Sequence, residues 1–542
     1  QQKRVKINVL TTSSHVGGRT WDCLLGKQAR KAQIEQLFLI FPITFAISSN
    51  MVFISFFFLV LLSIPQSSYS LPPLRGYPLN CGGTDEVIQD NVKYVPDQGF
   101  IAVGKSASLA KNGLSPVLST LRYFPDNSSR KFCYDFPVAK GGKYLVRTTY
   151  YYGGFDGGNQ PPVFNQIIQG TVWSTVDTRT DYANGMATYY EIILVSMSKT
   201  LSVCIARNEQ TTSSPFISAL ELEYVDDSVY NSTDFGKYML STIARSTFGA
   251  KNATIRFPDD KFNRIWQPLG DPNPVVESRS NTTSTFWNLP PQMAFTTGIT
   301  TSRGKNLTFK WPLASLPNTK YYISLYFQDN RTPSPFSWRV FSIFINGILF
   351  YKNLNVSTQG VSVCSSEWPL AGQTEITLMP GENVPVGPLV NAAEIFQILP
   401  VGRRTLTRDV VAMEDLATSF DNPPLDWNGD PCLPKDHSWT GVSCSSDKLA
   451  RVISLNLTNM GISGSISPSI GNLTALTHVS FEDNKLSGTI PDLSLLKELQ
   501  SLNLQNNNLQ GTVPKSLGTL PKLHEINLQN NNLTGGIPHS EE

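Results

Sequence analysis

Residues 499–513 read LQSLNLQNNNLQGTV, and residues 523–537 read LHEINLQNNNLTGGI. Two earlier segments, at 452–466 and 476–490, follow the same pattern, so that four units begin 24, 23 and 24 residues apart. Leu, Asn, Gly and Pro recur together at fixed positions of the unit, which an ordinary amphipathic segment would not reproduce. The period therefore predicts a solenoid in which each unit forms one coil.

The spacing L-x-x-L-x-L-x-x-N-x-L is that of leucine-rich repeats. Each L-x-L piece should form a short parallel strand, and each Asn should cap backbone groups of the neighbouring coil. This ladder is Asn484, Asn507 and Asn531, and Met460 interrupts it in the first unit. The positions between the leucines face the concave side, where they either contact a peptide or another ectodomain or are simply solvated. The candidates for such contact are Glu482, Ser501, Asn503, Gln505, Asn527 and Gln529.

A pair of cysteines precedes the first unit. Cys432 follows residues 425–431 (LDWNGDP), and Cys444 ends residues 439–444 (WTGVSC). The first coil of a solenoid lacks a neighbour and needs a cap. The segment resembles the N-terminal cap of plant extracellular leucine-rich repeat receptors. We expect Cys432 and Cys444 to be bonded to each other, because they are far in sequence from the other cysteines. The bond should stabilise the first coil but not the β lobes before residue 400, because each solenoid coil contacts only its neighbours.

The larger part of the chain, residues 76–400, is rich in strand-like segments. Examples are residues 143–152 (KYLVRTTYYY), 321–327 (YYISLYF) and 340–348 (VFSIFINGI), which alternate or carry many aromatic residues. Gly, Pro and Asn separate them, and long helical periodicity is scarce. The pattern predicts a mainly β fold built as a sandwich.

A faint internal duplication divides this part. Residues 164–170 match 341–347 at a distance of 177, and residues 216–222 match 389–395 at a distance of 173. Two tandem β-sandwich lobes are therefore predicted. The predicted domains are a leader at 1–70, lobes at 76–230 and 245–400, a linker and cap at 404–450, and repeats at 451–538.

Several short motifs carry a resemblance to a known family. Residues 77–83 (YPLNCGG), 122–125 (RYFP), 151–159 (YYGGFDGGN) and 201–204 (LSVC) look like the plant malectin-like ectodomain. Malectin-like lobes followed by a short repeat block resemble the ectodomains of plant receptor-like kinases and receptor-like proteins, over about 76–538. The resemblance implies a non-catalytic extracellular recognition protein that binds cell-wall carbohydrate or peptide, with a co-receptor ectodomain as a further partner.

Aromatic residues beside glycines suggest a carbohydrate site, because sugar rings stack on aromatic faces. The related animal malectin uses a Tyr-Phe pair at such a strand end, and an aspartate before its last strand. At that last place this chain has residues 213–215 (SSP) and 386–388 (VGP), without an acid. The alternative is that the aromatic residues fill the sandwich core. The carbohydrate-binding candidates are Tyr150, Tyr151, Tyr152, Phe155, Asp156, Tyr326 and Phe327.

The first 70 residues predict export. An apolar run of 13 residues, 52–64, follows Met51 and precedes small residues that end at Ser70, as in a signal peptide. A signal anchor that begins near Leu37 is the alternative, and a membrane span after Glu542 would also give a membrane-bound receptor. Six cysteines follow the leader, which suits an oxidising compartment. The predicted N-glycosylation sites are Asn127, Asn231, Asn252, Asn281, Asn306, Asn330, Asn355, Asn456, Asn472 and Asn532.

Signs of enzymatic chemistry are weak. The balance of 44 Lys and Arg against 42 Asp and Glu excludes a strongly basic nucleic-acid binder, and five scattered His do not suggest a metal site. No nucleophile elbow, zinc-protease motif or phosphate loop occurs. We expect no catalytic residue, metal or cofactor. A secreted wall-associated lectin without signalling role is the alternative function, and a glycosidase would need a carboxylate pair that the sequence does not offer.

Overall fold

The computed structural model describes residues 76–110, 113–125, 130–249, 254–278, 286–329, 331, 334–335 and 337–536. The predicted leader and the candidates Asn127, Asn252, Asn281 and Asn330 lie outside these residues. The described chain forms two compact units. One contains residues 226–234 and 242–398, and the other contains residues 76–225, 235–241 and 399–536. The mainly β fold predicted from the sequence is confirmed.

The first lobe belongs to the unit that also holds the repeats. Its main sheet has the strand order β2-β3-β1-β13-β7-β10, and smaller sheets have the orders β6-β11-β8-β9 and β12-β5-β4. Side chains of the main sheet, such as Val146, pack with those of the second sheet, such as Val203, in one apolar core. Besides helix α1 (Arg179–Ala183) and a 3₁₀ turn (Pro116–Leu118), its strands are β1 (Tyr77–Asn80), β2 (Val87–Gln89), β3 (Val92–Pro96), β4 (Lys105–Ser108), β5 (Thr120–Tyr123), β6 (Lys131–Pro137), β7 (Lys143–Tyr150), β8 (Phe164–Ile168), β9 (Thr171–Val176), β10 (Thr188–Val195), β11 (Thr200–Arg207), β12 (Phe216–Ile217) and β13 (Ala219–Tyr224).

A disulfide joins two neighbouring strands of the first lobe. Cys133 on β6 lies directly opposite Cys204 on β11, with their Cα atoms 3.9 Å apart. Cys81 is a buried free thiol. The sequence left the pairing of these cysteines open.

The second lobe repeats this architecture in the other unit. Its sheets have the orders β14-β25-β19-β22, β18-β23-β20-β21 and β16-β17-β24, and β15 pairs with β14. A 3₁₀ turn (Gln292–Phe295) accompanies them. The strands are β14 (Tyr238–Phe248, which enters this unit at residue 242), β15 (Gln267–Leu269), β16 (Val275–Glu277), β17 (Thr297–Thr300), β18 (Leu307–Lys310), β19 (Leu316–Phe327), β20 (Arg339–Ile345), β21 (Ile348–Val356), β22 (Val361–Gly372), β23 (Glu375–Pro380), β24 (Leu389–Val390) and β25 (Ala392–Pro400).

A buried glutamate occupies the same place in each lobe. Glu221 on β13 lies opposite Arg147 on β7, and their side chains form an ion pair of 2.7 Å. Glu394 on β25 is its match in the duplication, but Ser324 lies opposite it on β19. In this lobe the cation is instead Arg245 on β14, 3.0 Å from Glu394. Both lobes thus have a buried glutamate at this place, but its arginine partner comes from a different strand in each lobe.

The repeats form the predicted solenoid. Strands β29, β31, β33 and β35 pair in parallel, and β27 adds an antiparallel edge. Asn507 shows the predicted capping, since its amide donates to the carbonyl oxygen of Phe481 and accepts from the backbone N–H of Leu486, both at 2.9 Å. Besides α2 (Thr407–Ser419) and 3₁₀ turns (Lys435–His437, Pro468–Asn472, Lys515–Thr519), the strands are β26 (Arg404–Thr405), β27 (Val442–Cys444), β28 (Leu449–Ala450), β29 (Val452–Asn456), β30 (Ser463–Ser465), β31 (His478–Ser480), β32 (Lys485–Ser487), β33 (Ser501–Asn503), β34 (Gln510–Thr512), β35 (Glu525–Asn527) and β36 (Asn532–Thr534).

The cap of the solenoid contains the predicted disulfide. Cys432 and Cys444 are bonded, and the rings of Trp427 and Trp439 stack beside them with centroids 5.3 Å apart. The cap closes the apolar core of the first coil, to which both tryptophans belong.

The cap also packs against the first lobe, which the sequence did not predict. Lys131 on β6 is buried, and its Nζ donates to the carbonyl oxygens of Asp430, Leu433 (2.7 Å) and His437 (2.9 Å). The backbone N–H of Cys133 donates to Asn428 Oδ1 at 3.2 Å. Since the cap contacts the first lobe as well as the first coil, we now expect its disulfide to stabilise both.

Candidate functional site

An open pocket of about 480 Å³ lies beside the glycine-rich loop that follows β7. Tyr151 comes directly after this strand, and Tyr182 lies on α1. Their ring centroids are 5.9 Å apart, and their planes meet at 65°. We call this the tyrosine pocket. Its lining residues are Leu109, Ala110, Tyr151, Gly153, Tyr182, Ala183 and Gly185.

Local backbone geometry fixes this arrangement. The backbone N–H of Tyr151 donates to Ser218 Oγ at 3.0 Å, which holds the end of β7 against β13. Gly153 has a φ of 58°, and a Cβ there would lie 2.5 Å from the Leu109 side chain. Any larger residue at this position would strain the backbone and clash with the pocket wall. The shape of the pocket therefore favours glycine at position 153.

The neighbouring sequence candidates take part in packing. Tyr150 is 0% exposed, and its hydroxyl donates to Gln166 Oε1 at 3.0 Å. Tyr152 is also buried, and its hydroxyl donates to the Asp156 carboxylate. Phe155 is half-buried against Tyr123, with ring centroids 5.1 Å apart. Of the three consecutive tyrosines, Tyr151 is the one that lines the pocket, although only 2% of its surface is exposed.

Asp156 is exposed at the rim of this loop. Partial burial acts to raise its pKa, but hydrogen bonds from Ser213 and Tyr152 outweigh this effect and hold the pKa below its ordinary value of 3.8. Its Oδ1 also accepts the backbone N–H of Gly158 at 3.0 Å. The carboxylate is ionised at neutral pH and fastens the glycine-rich loop.

The two candidates of the second lobe are fully buried. Tyr326 donates its hydroxyl to Glu394 Oε1 at 2.7 Å, and Phe327 packs edge-on against Phe341. Both rings therefore belong to the packing of that lobe. This agrees with the alternative that these aromatic residues fill the sandwich core.

The concave surface of the repeats is a row of polar side chains that bond to one another. Gln505 donates to the Glu482 carboxylate, and Asn527 donates to Asn503 Oδ1 at 2.9 Å. Ser501 is buried, whereas Gln529 is exposed. The structure thus places Ser501, Asn503 and Asn527 on strands of one sheet, and Glu482, Gln505 and Gln529 each two residues beyond the end of such a strand.

The glycosylation candidates that the structure describes are all accessible. Each has an exposed side chain, as transfer of a glycan requires. They are Asn231, Asn306, Asn355, Asn456, Asn472 and Asn532.

Tyr182 is the member of the tyrosine pocket that sequence reasoning missed. It lies on a helix of five residues, 31 positions after Tyr151, and no motif connects the two. Among the described residues, no group of three or more His, Cys, Asp or Glu could hold a metal ion. In that same part of the chain, none of the helices has the length and apolar character that a membrane crossing requires.

Comparison with known proteins agrees with this architecture. The sequence matches the malectin-like domain family over residues 79–398 and the leucine-rich repeat family over 498–520 and 522–540. It is 32% identical to the Arabidopsis thaliana leucine-rich repeat receptor-like serine/threonine-protein kinase At2g14510, over 71% of this chain and 45% of the relative. It is 31% identical to receptor-like protein kinase At3g21340 of the same plant, over 79% of this chain and 48% of the relative.

The chain thus spans less than half of the length of these relatives. Among solved structures, the ANX2 ectodomain from Arabidopsis thaliana has a similar fold, with a TM-score of 0.51 and 17% identity. The match covers 60% of this chain and 97% of that one. The chain therefore belongs to the malectin-like domain family, and leucine-rich repeats follow its malectin-like part.

Proposed function

We propose that the chain is an extracellular recognition module whose tyrosine pocket binds a neutral glycan of the cell wall. The observation that carries the proposal is the pairing of Tyr151 and Tyr182 around an open pocket. The partly exposed ring of Tyr182 offers an apolar face to a sugar ring, and its hydroxyl offers a hydrogen bond to the sugar's hydroxyl groups, while the buried Tyr151 forms part of the pocket wall. No charged residue is among the described residues that line the pocket, which favours a neutral sugar.

The relatives support the coarser part of this proposal. They are receptor-like kinases, and this chain itself carries a malectin-like domain and leucine-rich repeats. We place the chain at the extracellular face of the plasma membrane or in the cell wall. The alternative is a secreted, wall-associated lectin. Mass spectrometry of the natural protein's C-terminus would separate the two, because a receptor should continue into an apolar span of about 20 residues.

The concave surface supports a second proposal, contact with a peptide or a co-receptor ectodomain. Its side chains are polar and nearly uncharged, and the exposed Gln529 extends the row towards solvent. Gln505 and Glu482 are already hydrogen-bonded to each other, so fewer side chains would have to be ordered when a partner binds there.

Binding to immobilised wall glycans tests the glycan proposal. Tyr182→Ala should abolish retention, because it removes one of the two rings. Tyr189→Ala is the matched control, since Tyr189 is an exposed tyrosine on β10 that does not line the pocket. Equal retention of both variants on every glycan that the unmodified chain binds, with unchanged melting temperatures, would overturn the proposal.

A further inference from the structure

A second open pocket, of about 520 Å³, lies where the segment after β25 meets the cap. Four of the residues that line it are positively charged, and among the described residues of its wall none is acidic. We call this the linker pocket. Its lining residues are Gly236, Lys237, Val401, Gly402, Arg403, Arg404, Lys448 and Leu449.

Backbone contacts assemble the linker pocket from three segments of one unit. The backbone N–H of Val401 donates to the carbonyl oxygen of Lys237 at 2.7 Å. Arg404 on β26 lies opposite Leu449 on β28 in a parallel pair. A Cβ at Gly402 would lie 2.4 Å from Thr171 Oγ1, so glycine is needed for this approach. The shape of the pocket is thus set by backbone contacts.

Arg403 is positioned by carbonyl groups. Its Nε donates to the carbonyl oxygen of Asp447 at 2.9 Å, and its Nη2 donates to that of Ser445 at 3.0 Å. Carbonyl oxygens orient the guanidinium without cancelling its charge, so the pocket keeps a positive potential. The carboxylate of Asp447 lies at the exposed surface beside Lys448 and is not part of the lining. A concave site with cations on several sides concentrates anionic ligands.

The remaining lining indicates which anion fits. Val401 and Leu449 form an aliphatic wall, and Leu449 is 47% exposed. In contrast to the tyrosine pocket, no described residue of this lining is aromatic, so the lining offers no ring on which a sugar could stack. A volume of this size is typical of ligand sites. We propose that the linker pocket binds an acidic peptide segment, whose carboxylates pair with Arg403, Arg404 and Lys448 while one aliphatic side chain covers Leu449.

This site is separate from the tyrosine pocket, and its proposal does not depend on glycan binding. Arginine forks pair with carboxylates through two hydrogen bonds, and lysines add point charges. Binding should therefore weaken as salt screens these exposed charges. It should also depend on the aliphatic residue of the peptide.

Fluorescence anisotropy with the whole secreted chain and the labelled peptide EELEE tests the proposal. The double variant Arg404→Glu, Lys448→Glu should bind about tenfold more weakly, because two favourable charge contacts become repulsive. Lys485→Glu is the matched control, since Lys485 is an exposed lysine on β32, and it should bind normally. Lys448→Ala, at an exposed position, should weaken binding in the same direction if the double variant does not fold.

Two further probes test the aliphatic contact and the chemical class of the ligand. The peptide EEGEE should bind more weakly than EELEE, because it lacks the side chain that covers Leu449. If an oligogalacturonate bound more tightly than EELEE, the ligand would be an acidic polysaccharide and not a peptide, and the proposal would be overturned. Equal binding by the double variant and the unmodified chain would also overturn it.

Discussion

The Nζ atom of Lys131 lies 2.7 Å from the carbonyl oxygen of Leu433, although 302 residues separate the two in the sequence. The lysine comes from an edge strand of the first lobe, and the carbonyl belongs to the cap of the repeats. Asp430 and His437 supply two more carbonyl oxygens. The three donors of one ammonium group thus join the lobe to the cap through backbone carbonyl groups.

Replacing Lys131 by methionine should weaken this junction. Met keeps much of the side-chain volume but leaves three buried carbonyl groups without donors, so the loss should be about 3 kcal/mol. Hydrogen exchange should show faster exchange in β6 and in residues 430–437. Lys140→Met, at an exposed position of the same lobe, is the control. Unchanged exchange in both segments would show that Lys131 does not hold the junction.

Two carboxyl groups in the same region predict a dependence on pH. Asp135 and Glu414 line a cleft of about 170 Å³ between β6 and α2. Burial raises the pKa of both above their ordinary values of 3.8 and 4.5, and for Glu414 the charge of Asp135 adds to the effect. The folded chain therefore holds these protons more tightly than the unfolded chain. Their contribution to stability is present at low pH and is lost as the pH rises through the raised pKa values.

Glu414→Gln tests this pH dependence, because the amide cannot ionise. The variant should gain stability relative to the unmodified chain at about pH 7 and lose this advantage at about pH 4. Urea unfolding across this range, compared with Glu382→Gln at an exposed position, measures the difference. A constant offset between variant and unmodified chain would contradict the assignment.

The cap disulfide should stabilise both of its neighbours. Cys432→Ser opens a loop closed across a sequence separation of 12 and should cost about 3 kcal/mol in the chain-entropy model. Because the cap contacts β29 and also β6, hydrogen exchange should accelerate in both strands. Ser446→Ala, at an exposed position in the same loop region, is the control. Faster exchange in β29 alone would restore the simpler expectation of a purely local effect.

Arg147→Met should destabilise the first lobe strongly. Arg147 is buried between Glu191 and Glu221, with ion-pair distances of 2.8 and 2.7 Å. Removing the cation leaves two buried carboxylates without their main counter-charge, which typically costs about 3–5 kcal/mol. Denaturant unfolding measures the loss, and Lys93→Met at an exposed ion pair should stay within about 0.5 kcal/mol of the unmodified chain.

Local patterns were enough to predict the repeats, since each Asn of the ladder bonds backbone groups of the preceding coil, as Asn507 does with Phe481 and Leu486. Matching 216–222 with 389–395 likewise aligned Glu221 with Glu394. The sequence could not show that Arg245 takes the role of Arg147 as the partner of the buried glutamate, because the order of residues along the chain does not reveal which strands are neighbours in a sheet. It could not pair Tyr151 with Tyr182, or Lys131 with Leu433, for the same reason.

The three hydrogen bonds from Lys131 to carbonyl oxygens of the cap have a mechanical consequence. A pull applied along the solenoid reaches the cap and then loads three hydrogen bonds on one lysine at the same time. Bonds that share a load must break together, whereas bonds loaded in sequence fail one by one. Tension on the repeats is therefore transmitted to strand β6 as a stiff linkage, and a single-molecule stretching trace should record the separation of cap and lobe as one step.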